Sequence, residues 1–221
     1  RPRVVVKGRK KMPIKGKLIL ADGSVFEGTL LSECATHGEV VFNTGMTGYQ
    51  EILTDPSYGG QIITLTYPLI GNYGTFEPIV QGRQPYCAGF IVSELCSFPS
   101  NWQKDGSILS YLENNHIPCL YDVDTRAVTR AIRKHGVMKG IIVPATYTKS
   151  QCQGLLEQET ATDMVKQVTT KEIQHMGEGD FHVAVIDYGA KLNILRSLVS
   201  EGFKLTIFPA TVSAEEVIAC K

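Results

Sequence analysis

The residues that could do chemistry are concentrated in one glycine-rich stretch, residues 38–68, which reads GEVVFNTGMTGYQEILTDPSYGGQIITLTYP. Two apolar runs typical of β-strands flank about twenty residues that fit neither a helical nor a strand period. This middle part contains the turn Asp55-Pro56-Ser57, which presents a hydroxyl, and several glycines that allow close backbone approach. On composition alone an ordinary connection is the simpler interpretation, but connections of this length inside a compact domain are often functional.

These residues resemble the small, glutamine-handling subunit of carbamoyl-phosphate synthetase. The resemblance continues, in the family's order, through three further blocks: Tyr67–Asn72 (YPLIGN), Asp122–Arg130 (DVDTRAVTR) and Ala184–Arg196 (AVIDYGAKLNILR). It covers roughly residues 14–221. A single block would be a weak match, whereas several blocks in the same order are highly specific.

The resemblance implies an α/β fold class with two domains. An N-terminal layered β/β/α domain is followed by the truncated beginning of a doubly wound parallel α/β domain of the class I glutamine amidotransferases. The implied activity is hydrolysis of L-glutamine, which supplies ammonia to a large subunit that makes carbamoyl phosphate for arginine or pyrimidine synthesis. In this heterodimer ATP, bicarbonate and Mg are expected in the large subunit, and no cofactor or metal is expected in this chain.

Class I amidotransferases use a cysteine nucleophile in a Gly-x-Cys-x-Gly turn, together with a histidine and a glutamate. None of the cysteines here has that context, and no His-x-Glu pair follows the last predicted strand. The resemblance therefore implies that all three catalytic residues lie beyond Lys221. The alternative function is a non-catalytic docking module for the large subunit. An amidotransferase serving another synthetase is disfavoured, because other amidotransferases lack the N-terminal domain.

The resemblance also implies substrate-binding residues. Ser57 is expected to contribute to the glutamine pocket across the domain interface, since a hydroxyl can meet the ammonium or the carboxylate of an amino acid. Without the resemblance, a serine that only caps a turn would be preferred. Lys191 and Asn193 follow a strand whose carboxyl end faces the ligand in doubly wound folds, and they are candidates for shaping the pocket or the domain seam. Asp55 and Tyr58 are interpreted as scaffolding.

The elements that must position these residues are predicted from period and capping signals. The expected division is a basic tail at 1–12, the N-terminal domain at 13–150, a peripheral helix and linker at 151–180, and the incomplete amidotransferase domain at 181–221. The pattern predicts a hairpin at 17–21 and 24–28, strands at 40–43, 61–67, 88–94 and 119–121, a helix capped by Ser107 and another over Arg126–Lys134. Residues 181–208 read as one β-α-β unit, which cannot bury both faces of a parallel sheet. We therefore expect residues 182–221 to be disordered or to pair with another chain.

Charge and composition limit the classes of function that the chain could have. The net charge is zero, but six basic and no acidic residues lie in the first eleven positions. Because the family pattern begins just after Met12, that residue is interpreted as the start, and the basic segment as disordered, dispensable and without a nucleic-acid partner. No apolar run is long enough for a membrane span or a secretory signal, so a cytoplasmic protein is expected.

Two further patterns concern the cysteines and one face of the second predicted helix. The six cysteines show no metal-binding spacing and are predicted to be free thiols, with Cys119 the best candidate for burial. Arg126, Arg130 and Arg133 share one face of the second predicted helix. That face is either a solvated basic surface or a contact with a partner or the nearby site.

Overall fold

The structure of the chain, a computed structural model, describes residues 13–160 and 163–220. The basic segment predicted to be disordered, residues 1–12, lies outside these ranges, so its disorder stays a prediction. Within them, every helix is too short or too polar to cross a membrane.

The first part of the chain forms a closed seven-stranded barrel with helices around it. Its elements in chain order are β1 (Ile14–Leu20), β2 (Val25–Leu30), β3 (Thr36–Asn43), α1 (Tyr49–Thr54), β4 (Gln61–Leu65), β5 (Leu69–Ile70), β6 (Gly89–Ile91), β7 (Glu94–Leu95), α2 (Ile108–Asn114), β8 (Cys119–Tyr121), α3 (Thr125–His135) and β9 (Met138–Pro144). Around the barrel the order is β1-β2-β8-β6-β4-β3-β9. The four neighbours β8, β6, β4 and β3 are parallel, so their carboxyl ends share one rim.

Local signals explain several of these elements, and the predicted hairpin and both predicted helices are confirmed. Gly23 has a φ of 86° in the β1–β2 turn, where the amide of Leu20 donates to the carbonyl of Ser24 at 2.9 Å. The Ser107 side chain caps α2, and the Asp124 side chain caps α3 by accepting from the amide of Ala127 at 2.9 Å.

The barrel interior is filled by aliphatic side chains that alternate along the strands. Leu18 and Leu20 of β1 are fully buried, in one cluster with Val128 and Ile132 of α3. A second buried cluster lies on the α2 side of the barrel and contains Tyr49, Leu53, Ile63, Phe90, Ile108 and Leu112. The helices α1, α2 and α3 are thus held to the barrel by their apolar faces.

Three elements of the barrel half were missed from sequence: the two-residue strand β5, the helix α1 and the strand β9. The short helix α1 follows Gly48, which has a φ of 87° and offers no side-chain cap, so the usual helix signal is absent. Strand β9 pairs with both β1 and β3 and closes the barrel. The α/β class is confirmed, but the N-terminal sheet curls into a barrel, and the predicted strand at 88–94 divides into β6 and β7.

The rest of the chain forms a smaller sheet with helices. Its elements are α4 (Lys149–Leu156), α5 (Val165–Val168), β10 (Gln174–Met176), β11 (Phe181–Asp187), α6 (Leu192–Ser200), β12 (Phe203–Pro209) and α7 (Ala214–Ala219). The predicted β-α-β unit is present, with β11 parallel to β12. Strand β10 pairs antiparallel with the other edge of β12, so the segment predicted as helix and linker also supplies a strand.

The predicted disorder of residues 182–221 differs from the structure, in which residues 181–220 form regular elements. Helix α6 covers one face of the sheet and buries Leu195 against Leu205 and Ile207, while β10 pairs with the outer edge of β12. The other face is partly covered, since Thr206 and Phe208 of β12 are buried there while Ile186 of β11 is exposed. The unit is therefore ordered in the structure with one face covered and the other covered in part, and it still exposes Ile186.

The barrel's tight packing gives a stability prediction. A methyl group added at Gly38 of β3 would lie 2.5 Å from the carbonyl oxygen of Gly60, so backbone would have to move. Gly38→Ala should lower the free energy of unfolding by about 1–3 kcal/mol, measured by urea denaturation. The control is Gly154→Ala in α4, where the added methyl group meets nothing within 4 Å. That change should stabilise the helix by up to about 1 kcal/mol. Equal stability of the two variants would contradict the packing argument.

Candidate functional site

Ser57 lies in a single 3-10 turn, Pro56–Tyr58, between α1 and β4. Asp55 caps this turn, and its Oδ1 accepts a hydrogen bond from the Ser57 amide at 2.9 Å. Asp55 and Pro56 are buried, whereas Ser57 is exposed. Within the described part of the chain, the Ser57 hydroxyl makes no hydrogen bond. The turn therefore holds the serine backbone and leaves its hydroxyl available.

The second oxygen of Asp55 connects this turn to the smaller sheet. Oδ2 of Asp55 lies 2.8 Å from Nζ of Lys191, the residue that precedes α6. The Asp55 side chain is 9% exposed and that of Lys191 is 44% exposed. One buried carboxylate thus fixes both the serine turn and the start of α6, and removing the lysine would leave that carboxylate without its cation.

Asp187, at the carboxyl end of β11, organises the neighbouring turn. Its carboxylate accepts from the amides of Gly189 at 2.9 Å, Ala190 at 2.8 Å and Thr170 at 2.7 Å. Gly189 has a φ of 101°, and a Cβ atom there would lie 3.2 Å from Cβ of Pro56. Glycine lets the turn lie directly on the loop that carries Ser57.

Further hydrogen bonds fasten α6 to the barrel half. The Leu192 amide donates to the carbonyl of Gln81 at 2.9 Å, and Nη1 of Arg196 donates to the carbonyls of Pro78 and Val80 at 2.9 Å each. Nη1 of Arg83 lies 3.5 Å from Oδ2 of Asp187. Sequence reasoning missed Arg83 and Arg196, because a single arginine in a loop or on a helix carries no local signal for a distant acceptor.

Two hollows flank the serine turn. One, of about 260 Å³, has Ser57 in its wall. Its other lining residues come from the serine turn, from β3 and β4, and from the linker: Glu39, Pro56, Gly59, Gly60, Gln61, Thr160 and Met164. The other, of about 350 Å³, is lined by Asp55, Tyr58 and Lys191 among others. The Tyr58 hydroxyl accepts from Nδ2 of Asn43 at 2.9 Å.

Two of the predicted site residues, Ser57 and Lys191, both contact Asp55. They line different hollows. Asn193 is exposed and lines neither hollow.

Several cysteines are poorly suited to act as nucleophiles. Burial raises the pKa of the Cys34 and Cys119 thiols and raises that of Cys87 to about 12. Cys119 is fully buried, as predicted. A thiol with a raised pKa carries little thiolate at neutral pH, and the thiolate is the reactive form.

Comparison with known proteins adds an independent finding. Residues 18–142 match the family model described as carbamoyl-phosphate synthase small chain, CPSase domain. The carbamoyl phosphate synthase small chain of Clostridium perfringens is 48% identical over 209 residues, which cover 93% of this chain and 59% of the relative. The small chain of Caldanaerobacter subterraneus is 46% identical over 206 residues, 93% of this chain and 56% of the relative. A third relative, from Halalkalibacterium halodurans, is named as a pyrimidine-specific small chain and is 47% identical over 207 residues, 93% of this chain and 57% of the relative. The chain thus spans somewhat over half the length of these relatives.

The role of Asp187 can be tested directly. Asp187→Ala should lower the free energy of unfolding by roughly 1.5–3 kcal/mol, because three backbone amides lose a charged acceptor. Hydrogen exchange should accelerate at the amides of Thr170, Gly189 and Ala190. The control is Asp180→Ala, which removes an exposed carboxylate from the amino end of the same strand region. Unchanged protection of those three amides in Asp187→Ala would show that the turn does not depend on the carboxylate.

Proposed function

The chain belongs to the carbamoyl phosphate synthase small chain family, and we propose that it forms part of that enzyme's glutamine-hydrolysing unit. The unit would release ammonia from L-glutamine for a large chain that makes carbamoyl phosphate from bicarbonate and ATP with Mg. The product would serve arginine or pyrimidine synthesis. The large chain is the proposed protein partner, in a heterodimer.

The observation that carries this proposal is the contact of the serine turn with the carboxyl end of β11. Lys191 pairs with Asp55, and Gly189 approaches Pro56, so the turn lies where parallel sheets present residues to ligands. A substrate bound at that end of the sheet would be within reach of a hydroxyl presented by the barrel half. Ser57 is therefore the residue through which the barrel half would take part in glutamine binding.

The chemistry of the serine fits the amino-acid end of glutamine. The hydroxyl can accept from an ammonium group or donate to a carboxylate, and within the described residues it has no competing partner. In this proposal Lys191 acts through Asp55 and positions the turn, while Asn193 contributes only at the outer edge of the seam. The cysteine, histidine and glutamate that cleave the amide are proposed to lie outside this chain, which agrees with the raised pKa of its buried thiols.

Ser57→Ala tests the proposal in the complete two-chain enzyme. If the hydroxyl holds the amino-acid end of glutamine, the change should chiefly raise the KM for glutamine. Loss of one hydrogen bond of roughly 0.5–1.5 kcal/mol corresponds to an increase of about 2- to 12-fold. Steady-state kinetics with glutamine and with free ammonia provide the measurement, and the ammonia-driven reaction should barely change.

Two further variants sharpen this experiment. Ser57→Phe would fill the hollow and should impair glutamine use far more than alanine does. Ser97→Ala removes an exposed hydroxyl from another loop of the barrel half and should leave both reactions unchanged. Two outcomes would contradict the proposal: an unaltered KM for glutamine in Ser57→Ala, or an ammonia-driven reaction slowed as much as the glutamine-driven one. Either result would make Ser57 a turn residue only and would favour the docking-module alternative.

The 221-residue chain by itself should release no ammonia from glutamine. None of its cysteines lies in a Gly-x-Cys-x-Gly turn, and burial disfavours the thiolate at Cys34, Cys87 and Cys119. A coupled ammonia assay on the purified chain measures this. Sustained turnover that is abolished by a cysteine-to-alanine change within the chain would refute the expectation.

A further inference from the structure

A cleft of about 850 Å³ beside α3 has no part in the function proposed above. It opens at the rim where the parallel strands β3, β4, β6 and β8 end, and α3 forms its other wall. The serine turn precedes the first residue of β4, at the opposite end of these strands. The carboxyl ends of parallel strands are where α/β sheets commonly bind ligands.

One wall of the cleft carries hydroxyls from three different strands. Thr44 follows β3, Thr66 follows β4 and Ser93 lies just after β6. Thr66 and Ser93 are half-buried. None of the three hydroxyls has a hydrogen-bond partner among residues 13–160 and 163–220. Because the strands are parallel neighbours, these donors converge at one place although they are far apart in sequence.

The opposite wall carries three arginines. Arg126, Arg130 and Arg133 follow helical spacing on α3, and all three line the cleft. In the described part of the chain, none of them has a carboxylate within ion-pair distance. The one acidic side chain in the wall, Asp124, already caps α3 through the amide of Ala127 at 2.9 Å. The cleft thus carries three positive charges against one negative charge, and this excess favours an anion between the arginines and the hydroxyls.

We propose that this cleft binds a small molecule that carries at least two oxyanion groups, either phosphates or carboxylates. Guanidinium groups form bidentate hydrogen bonds with both kinds of oxyanion, and the hydroxyls of the strand ends add further donors in the cleft. The volume lies in the range of roughly 300–1,000 Å³ that small-molecule sites occupy. An acidic protein segment could meet the exposed arginines but would leave the half-buried hydroxyls of Thr66 and Ser93 unused, so a small ligand is favoured.

Calorimetric titration of the 221-residue chain with inorganic pyrophosphate and, separately, with citrate tests the site. At least one probe should bind, and the stronger one identifies phosphate or carboxylate as the preferred group. Arg130→Gln should weaken that binding about tenfold or more, and Thr66→Val about 2- to 12-fold. The matched control is Lys134→Gln, which removes a charge from the same helix outside the cleft and should have little effect.

Two results would overturn the proposal. One is a failure of both probes to bind below about 10 mM at low salt. The other is an equal loss of binding in Arg130→Gln and Lys134→Gln, which would indicate a diffuse charge effect. If neither probe binds but Arg130→Gln weakens association with the large chain, the cleft is a protein-docking surface and the small-ligand proposal is wrong. Glutamine kinetics are a separate readout, so failure here leaves the test of Ser57 intact.

Discussion

A buried carboxylate has to be paired with a cation or hydrogen-bonded. Two such carboxylates, Asp55 and Asp187, lie at the seam between the barrel and the smaller sheet. Asp55 divides its oxygens between the serine turn and Lys191. Asp187 gathers the amides of its own turn and that of Thr170, with Arg83 beside it. Since each carboxylate takes partners from both sides of the seam, the position of the serine turn and that of α6 are fixed together.

A second constraint follows from the parallel run of strands in the barrel. Neighbouring parallel strands cannot be joined by tight turns, so each crossover has to travel back along the barrel before the next strand begins. The long connection between β3 and β4 is therefore required by the topology. It leaves Thr44 at one rim and returns through Asp55 and Ser57 to the other. The same constraint places the arginine cleft and the serine turn at opposite ends of the shared strands.

Elements with strong local signals could be predicted from sequence, and elements that depend on distant partners could not. The capped helices α2 and α3 and the β1–β2 hairpin carry their own signals in Ser107, Asp124 and Gly23. Strand β9 forms by pairing with β1 and β3, which closes the barrel, and β10 forms by pairing with the edge of β12. Pairing of that kind depends on contacts between segments that composition does not connect.

For the candidate site the division is similar. The Asp-Pro-Ser sequence by itself determined a turn that presents the hydroxyl of Ser57, because proline fixes one dihedral angle and the aspartate caps the turn locally. Only the tertiary structure decided that the free oxygen of Asp55 meets Lys191, that Asn193 lines neither hollow beside Ser57, and that three arginines on α3 line one cleft with hydroxyls from three strands. Those outcomes depend on which distant side chains the packing of barrel, helix and sheet brings within a few ångströms of one another.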